Sequence, residues 1–185
     1  MNDENIQNII HSVSTNNNKN NKEIIEQIQI VVFELDNEEY ALKINDLREI
    51  INIPNITPIP NSPEFIRGIF NLRGKIIVTV DLEKRFNFSR NNKLSPKHII
   101  ITEVENNDFG VVVDRVKEVL HVPVTNIKTA PELISNKIHA EYIDGVVVLE
   151  GKDGTSSRII IMLNLMKLLS DKDLLTLGSV IKANN

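Results

Sequence analysis

The chain has 185 residues, a formal net charge of −4 and no cysteine. At about 100–200 residues per domain, that length admits one domain or two small lobes sharing a core boundary, and excludes a multidomain enzyme. The negative balance leaves no basic field for a phosphate backbone, so nucleic acid is not an expected partner. The missing cysteines remove disulfides, thiolate nucleophiles and thiolate metal sites together. A hydrophobic content of 41% with 25% charged residues is that of a soluble globule, and the absence of Trp makes its core mainly aliphatic.

Residues 1–27 are polar, carry the run Asn16-Asn17-Asn18-Lys19-Asn20-Asn21, and hold no apolar stretch able to build a core, so they are expected to form a disordered Asn-rich tail. The tail lacks the basic start and apolar stretch of a secretory leader. Nothing beyond it approaches the ~18 apolar residues of a membrane span. The expectation is a soluble, cytoplasmic protein whose folded body runs from 28 to 180.

Within that body, β-branched runs alternate with turn residues. The spacing predicts strands at Ile28–Leu35, Glu39–Ile44, Ile66–Asn71, Lys75–Val80, His98–Val104, Phe109–Val113, Val146–Glu150 and Arg158–Leu163. Branched residues in Arg48–Pro54 favour a further strand there. Asp36-Asn37-Glu38, Glu105-Asn106-Asn107-Asp108 and Asp153-Gly154 supply hairpin turns. The pattern is all-β, a barrel or sandwich. Short helices are few; the clearest is C-terminal, where Ser170 with Asp173 precedes Leu174, Leu175 and Leu177 in an N-cap arrangement.

An internal repeat organises these strands. Glu39–Ile50 lies over Asp108–Val119 with acid, aromatic, small, apolar and basic positions in step, and Pro54 falls over Pro123. Val80-Asp81-Leu82-Glu83-Lys84 lies over Leu163-Asn164-Leu165-Met166-Lys167. Each copy is too short to hold a stable core alone, so two lobes are expected to pack together with a groove between them. Ile76, Ile77, Val78 and Val80 put apolar side chains on both faces of one strand, which requires burial between the lobes or against another protein.

Gly74 allows the positive φ of a hairpin turn and places Arg73 at its tip. Arg73 is then either solvated, paired with Glu49 across the sheet, or displayed with Arg67 to an acidic partner. Catalytic patterns are missing. His11, His98, His121 and His139 share no metal-ligand spacing. Gly151-Lys152-Asp153-Gly154-Thr155-Ser156 lacks the order of a phosphate loop. Asp81, Glu83, Asp114 and Glu118 fit capping and solvation better than acid–base chemistry. No glycine-rich loop remains for a cofactor, and none is expected.

From Phe65 to Leu82, above all at Asn71-Leu72-Arg73-Gly74 and Val80-Asp81-Leu82, the chain resembles the CheW family of chemotaxis coupling proteins. Tyr40-Ala41-Leu42, Leu47-Arg48-Glu49-Ile50, Ile59-Pro60-Asn61-Ser62-Pro63, Gly110–Val116, Ala130-Pro131-Glu132, Glu141–Gly145 and Met162–Leu169 follow in the family's order. The resemblance implies two SH3-like five-stranded β-barrel lobes and no catalysis. Its implied role is a scaffold between the cytoplasmic tips of chemoreceptors and the regulatory domain of the CheA histidine kinase, reaching the membrane only through receptors and joining further copies in rings. By position, it assigns Leu47, Glu49, Gly68 and Arg73 to receptor binding, and Arg73, Lys128 and Leu133 to the kinase. Asn164 stands where the family's second copy often has Asp, and Leu133 where an aromatic occurs. A receiver domain would mark the related CheV type, and none is expected from these 185 residues. Two other readings remain: a coupling protein for twitching or surface motility, and a β-barrel binding a small molecule or oligosaccharide. Aromatics at 4% give the latter few platforms.

Overall fold

The computed structural model describes residues 26–88, 96–131, 134, 138–150 and 157–169. The tail to residue 25, the Asp153-Gly154 turn, Leu133 and the helix expected from Ser170 lie outside them. Among the described residues the strands are β1 (Gln27–Leu35), β2 (Glu38–Lys43), β3 (Leu47–Asn52), β4 (Ile66–Leu72), β5 (Lys75–Asp81), β6 (His98–Val104), β7 (Asn107–Val113), β8 (Arg115–Pro123), β9 (Ile127–Lys128), β10 (Ile143–Glu150) and β11 (Ser157–Leu163). Two short helices, α1 (Leu82–Arg85) and α2 (Leu165–Leu169), follow β5 and β11. Each predicted strand is present to within three residues at either end. β8 was missing from the predicted series because Arg115, Lys117, Glu118 and His121 make it read as polar. It is an edge strand, and its charges face solvent.

Turn chemistry sets the hairpins. Asp36 and Asn37 (φ 49° and 66°), Arg73 and Gly74 (52° and 87°), and Glu105 and Asn106 (51° and 62°) all take positive φ in pairs. Two consecutive left-handed residues make the tight turn whose twist matches that of the flanking strands. They close β1–β2, β4–β5 and β6–β7.

The strands form two sheets, ordered β8-β1-β2-β11-β10-β9 and β3-β6-β7-β5-β4. The duplication is present, but the lobes do not coincide with the repeats. The β1–β2 hairpin of the first repeat enters the second repeat's sheet, with β1 antiparallel to β8 and β2 parallel to β11. Reciprocally, the β6–β7 hairpin enters the first repeat's sheet, with β6 antiparallel to β3 and β7 parallel to β5. Neither half can therefore complete a sheet from its own residues.

This exchange explains the strands that are apolar on both faces. Ile77 turns into one lobe core with Phe70, Ile99, Ile101 and Val112. Val78 and Val80 turn the other way, into a seam shared with Phe33, Tyr40, Leu42, Ile161 and Leu163 from the opposite sheet. Ile30, Val32, Val147, Ile160 and Met162 fill the second lobe. Each fully buried side chain of this size is worth about 1.5–3 kcal/mol. Withdrawing Phe33, Leu35, Tyr40 and Leu42 with their hairpin would cost an amount comparable to the whole stability of a domain, about 5–15 kcal/mol.

Each sheet is drawn toward closure at equivalent places. Thr57 and Ile69 exchange both backbone hydrogen bonds at 2.8 Å, bringing the chain after β3 onto the far edge strand β4. In the other lobe β9 pairs with β10. Both approaches need glycine. A Cβ on Gly68 (φ 140°) would lie 2.3 Å from the Thr57 carbonyl oxygen, and one on Gly145 (φ 157°) would lie 2.7 Å from Ile127 Cγ2 and 3.0 Å from the Lys128 carbonyl oxygen. Gly74, also at positive φ, has open space around it. Gly68→Ala and Gly145→Ala are each expected to destabilise by about 2 kcal/mol or more, from backbone strain and lost closure. Gly74→Ala is expected to cost about 1 kcal/mol. Urea unfolding checks the order; equal costs at all three positions would contradict the closure account.

Candidate functional site

The site grows from β3 and the β4–β5 turn. A 3-10 turn, Ile44–Asp46, carries the chain from one sheet to the other, and Thr102 Oγ1 donates to the Asp46 carbonyl at 2.5 Å to anchor its end. A bulge between Leu47 and Glu49 then changes the facing of β3. Half-buried Leu47 packs on the seam core, Ile51 packs on the lobe core, and Ile50 remains 40% exposed. Glu49 is left at the rim.

Arg73 meets Glu49 there. Its guanidinium donates both ways, Nη1 to Oε1 at 3.2 Å and Nη2 to Oε2 at 2.9 Å, while its side chain stays 77% exposed. The pairing read as one possibility from the sequence is the one formed, and it links the two edge strands at one end of the lobe. Arg73 itself is in left-handed backbone, a region that favours Gly and Asn over Arg. Asn71 Oδ1 accepts from the Gly74 amide at 2.9 Å and steadies the turn. Beside the pair lies a groove of about 460 Å³ with Leu72, Ile77 and Ile101 among its apolar walls. Its charged rim is paired internally: Arg48 with Glu103 and with Asp108 at 3.6 Å, and Lys75 with Asp108 at 2.9 Å.

The other expected residues fall in different places. Gly68 is buried under Ile56 and Thr57, so it acts on the surface through backbone closure. Lys128 belongs to the second lobe, beside a groove of about 320 Å³ that also includes Asp144 and Gly145, and its Nζ donates to the Thr125 carbonyl at 2.8 Å. Arg67 is half-buried on β4 and is not brought to Glu49. Asn164 has a clear local role. Its Oδ1 caps α2 through the Lys167 amide at 2.9 Å, as Asp81 caps α1 through the Lys84 amide at 3.3 Å. Its Nδ2 donates to Asp144 at 2.6 Å. An Asp at this position would oppose a second carboxylate to Asp144. Burial pushes the Asp144 carboxyl up, but hydrogen bonds from Lys43 and Asn164 outweigh it and hold the group below its ordinary range.

The rim network is itself duplicated, which sequence reasoning missed. Lys117 pairs with Glu34 at 3.8 Å and Glu39 at 2.5 Å, and Arg158 pairs with Glu39 at 2.5 Å. In the repeat alignment Lys117 corresponds to Arg48, Glu39 to Asp108 and Arg158 to Lys75. The signal was available, since the alignment already set Glu39 over Asp108 and Arg48 over Lys117. Glu39 is held below its ordinary pKa, first by the Arg158 hydrogen bond, against a smaller upward push from burial, and with further help from Lys117.

A CheW-like domain model matches residues 29–173. The chain is 36% identical over 159 residues to a chemotaxis protein CheW of Treponema pallidum, covering 84% of this chain and 89% of that one. It is 31% identical over 156 residues to a chemotaxis protein CheW of Klebsiella aerogenes, covering 84% and 90%. Among solved structures, the crystal structure of the scaffolding protein TtCheW from Thermoanaerobacter tengcongensis aligns with a TM-score of 0.68 at 35% identity, covering 82% of this chain and 94% of that one.

Two outcomes follow from the geometry. Arg73→Gly removes an exposed ion pair worth about 0.2–1 kcal/mol and relieves left-handed strain of about 1–2 kcal/mol. Its unfolding free energy should therefore stay within about 1 kcal/mol of wild type, and a loss above about 2 kcal/mol would make the pair a pillar of the fold. For Glu39 the depressed folded-state pKa means that its contribution is present at neutral pH and is lost as pH falls through and below the ordinary value of 4.5. Urea midpoints measured from pH 6 to pH 3 should fall less steeply in Glu39→Gln than in wild type. Parallel profiles would contradict the assignment.

Proposed function

The chain belongs to the CheW family, and we propose that it is a non-enzymatic scaffold coupling chemoreceptor tips to the CheA histidine kinase. The observation that carries this reading is Arg73. A side chain held in disfavoured backbone, largely exposed and oriented by a bidentate carboxylate is arranged for display, because an Asn or Gly would serve the turn better. Leu47 and exposed Ile50 lie on the adjoining strand and supply an apolar strip. A receptor tip, as a helical hairpin, would lay its apolar stripe there while Arg73 and Glu49 fix its orientation by charge. A few such residues dominate most interfaces.

The kinase regulatory domain would contact Arg73 from one side and the second lobe at Lys128 and Leu133, with further copies of the chain extending the assembly into rings. The folded unit is residues 28–180 behind a tail at 1–27, working in the cytoplasm and recruited to receptor arrays. Among the described residues no helix is long and apolar enough to cross a membrane. Signal passes because the receptor's states differ in affinity for this surface; a receptor binding equally in both would shift nothing. A coupling free energy of about 1–3 kcal/mol per contact set is sufficient when rings add cooperativity.

Co-sedimentation with receptor-bearing membranes and purified kinase tests the reading. Kinase should pellet with receptor only when this protein is added, and Arg73→Glu, folded as judged by circular dichroism, should reduce receptor capture at least about tenfold. Kinase recruitment that ignores the protein, or a charge reversal without effect on capture, would overturn it.

A further inference from the structure

The chain's few aromatic residues are gathered at the seam: of six Phe and two Tyr, all but Phe70 lie in or against the shared core. One cation is set among them. The Arg85 guanidinium carbon stands 4.3 Å from the ring centre of Phe65 and 5.5 Å from that of Tyr142, and Nη2 donates to the Tyr142 hydroxyl at 3.2 Å. Phe65 precedes β4 in one sheet and Tyr142 precedes β10 in the other. They are structural equivalents, since Phe65 accepts from the Asp81 amide and Tyr142 from the Asn164 amide, each at 2.8 Å. The equivalent of Arg85 is Leu168, fully buried in the same core. An aliphatic residue therefore satisfies packing at that position of the seam, and the guanidinium adds a directional contact to both halves.

We infer that Arg85 is a positioning residue that fixes the angle between the two lobes, and so the spacing at which the receptor and kinase surfaces are presented. The coupling part rests on the function proposed above; the angular part does not. Side-chain packing at this seam is bridged on one side only by a planar group stacked between rings and aimed by a hydroxyl. A guanidinium in that setting restricts rotation of one lobe against the other more than a flexible alkyl chain does. A contact that sets the lobe angle adds to the influence that partners bound on separate lobes exert on each other through the shared core.

The full chain has no cysteine, so Asn52→Cys with Ile159→Cys places one exposed spin label on each sheet. Pulsed electron–electron distance measurements should give one narrow distribution for this pair, a broadened or shifted one with Arg85→Leu, and an intermediate one with Arg85→Lys, which keeps the cation but not the planar fork. In the same preparations without labels, Arg85→Leu should capture receptor alone and kinase alone as wild type does, yet lose about fivefold of receptor-dependent kinase control. A folded Arg85→Leu protein with the wild-type distribution overturns the inference, as does equal loss of the two separate captures. If Arg85→Leu does not fold, Arg85→Lys decides by the same distances, and an unbroadened distribution overturns it. Should wild type capture neither partner, the functional reading fails while the distance comparison still judges the lobe angle.

Discussion

The structure depends on a reciprocal exchange of hairpins. The parallel pairs β2–β11 and β5–β7 are formed between repeats, so the backbone hydrogen bonds of each sheet are shared by both halves of the chain. Among the described residues seven strands, β1, β2, β4, β5, β6, β7 and β11, place buried side chains both in a lobe core and in the seam. The apolar demand is high on these strands and low on the edge strands β3 and β8. That division leaves the edge strands free to carry charge, and Arg48 of β3 and Lys117 of β8 each reach acids at the ends of neighbouring central strands, in equivalent positions on the two lobes.

The candidate surface is a by-product of closing the first lobe. Closure brings the end of β3 and the β4–β5 tip close enough for Arg73 to grip Glu49, and Gly68 permits the approach by leaving no side chain between β4 and Thr57. A substitution at Gly68 would therefore shift this surface through the backbone, from a buried position beneath it. Leu47 has a double position as well, packed on the seam beneath and bordering the rim above. This surface is thus mechanically continuous with the shared core, as the proposed coupling role requires.

Much of this was readable before any coordinates. Short β-branched runs of Ile and Val located the central strands, turn residues located the hairpins, and the alignment of Glu39–Ile50 with Asp108–Val119 exposed the duplication. The two-faced Ile77-Val78-Val80 segment announced a second buried face. Exchange was not legible, because a repeat reports similarity between halves and carries no record of which half's strands pair. β8 was hidden by its own charges, which are those of an edge. Nothing in the sequence singles out Arg85, and only the meeting of Phe65 and Tyr142 across the seam gives it a role. Pairing of Arg73 with Glu49 was one of the readings open to the sequence, and the bulge after Leu47 is what turns the carboxylate toward the guanidinium.

If exchange is the governing constraint, the lobes cannot open one at a time. Native-state hydrogen exchange reads this directly at buried amides of the two sheets, for example Ile100 and Val111 in one and Val32 and Ile161 in the other. The account predicts that these amides share one opening free energy, equal to that of global unfolding and shifted equally by urea. A sheet whose amides exchange through its own opening, about 2 kcal/mol or more below the other, would show that each lobe stands alone and would contradict it.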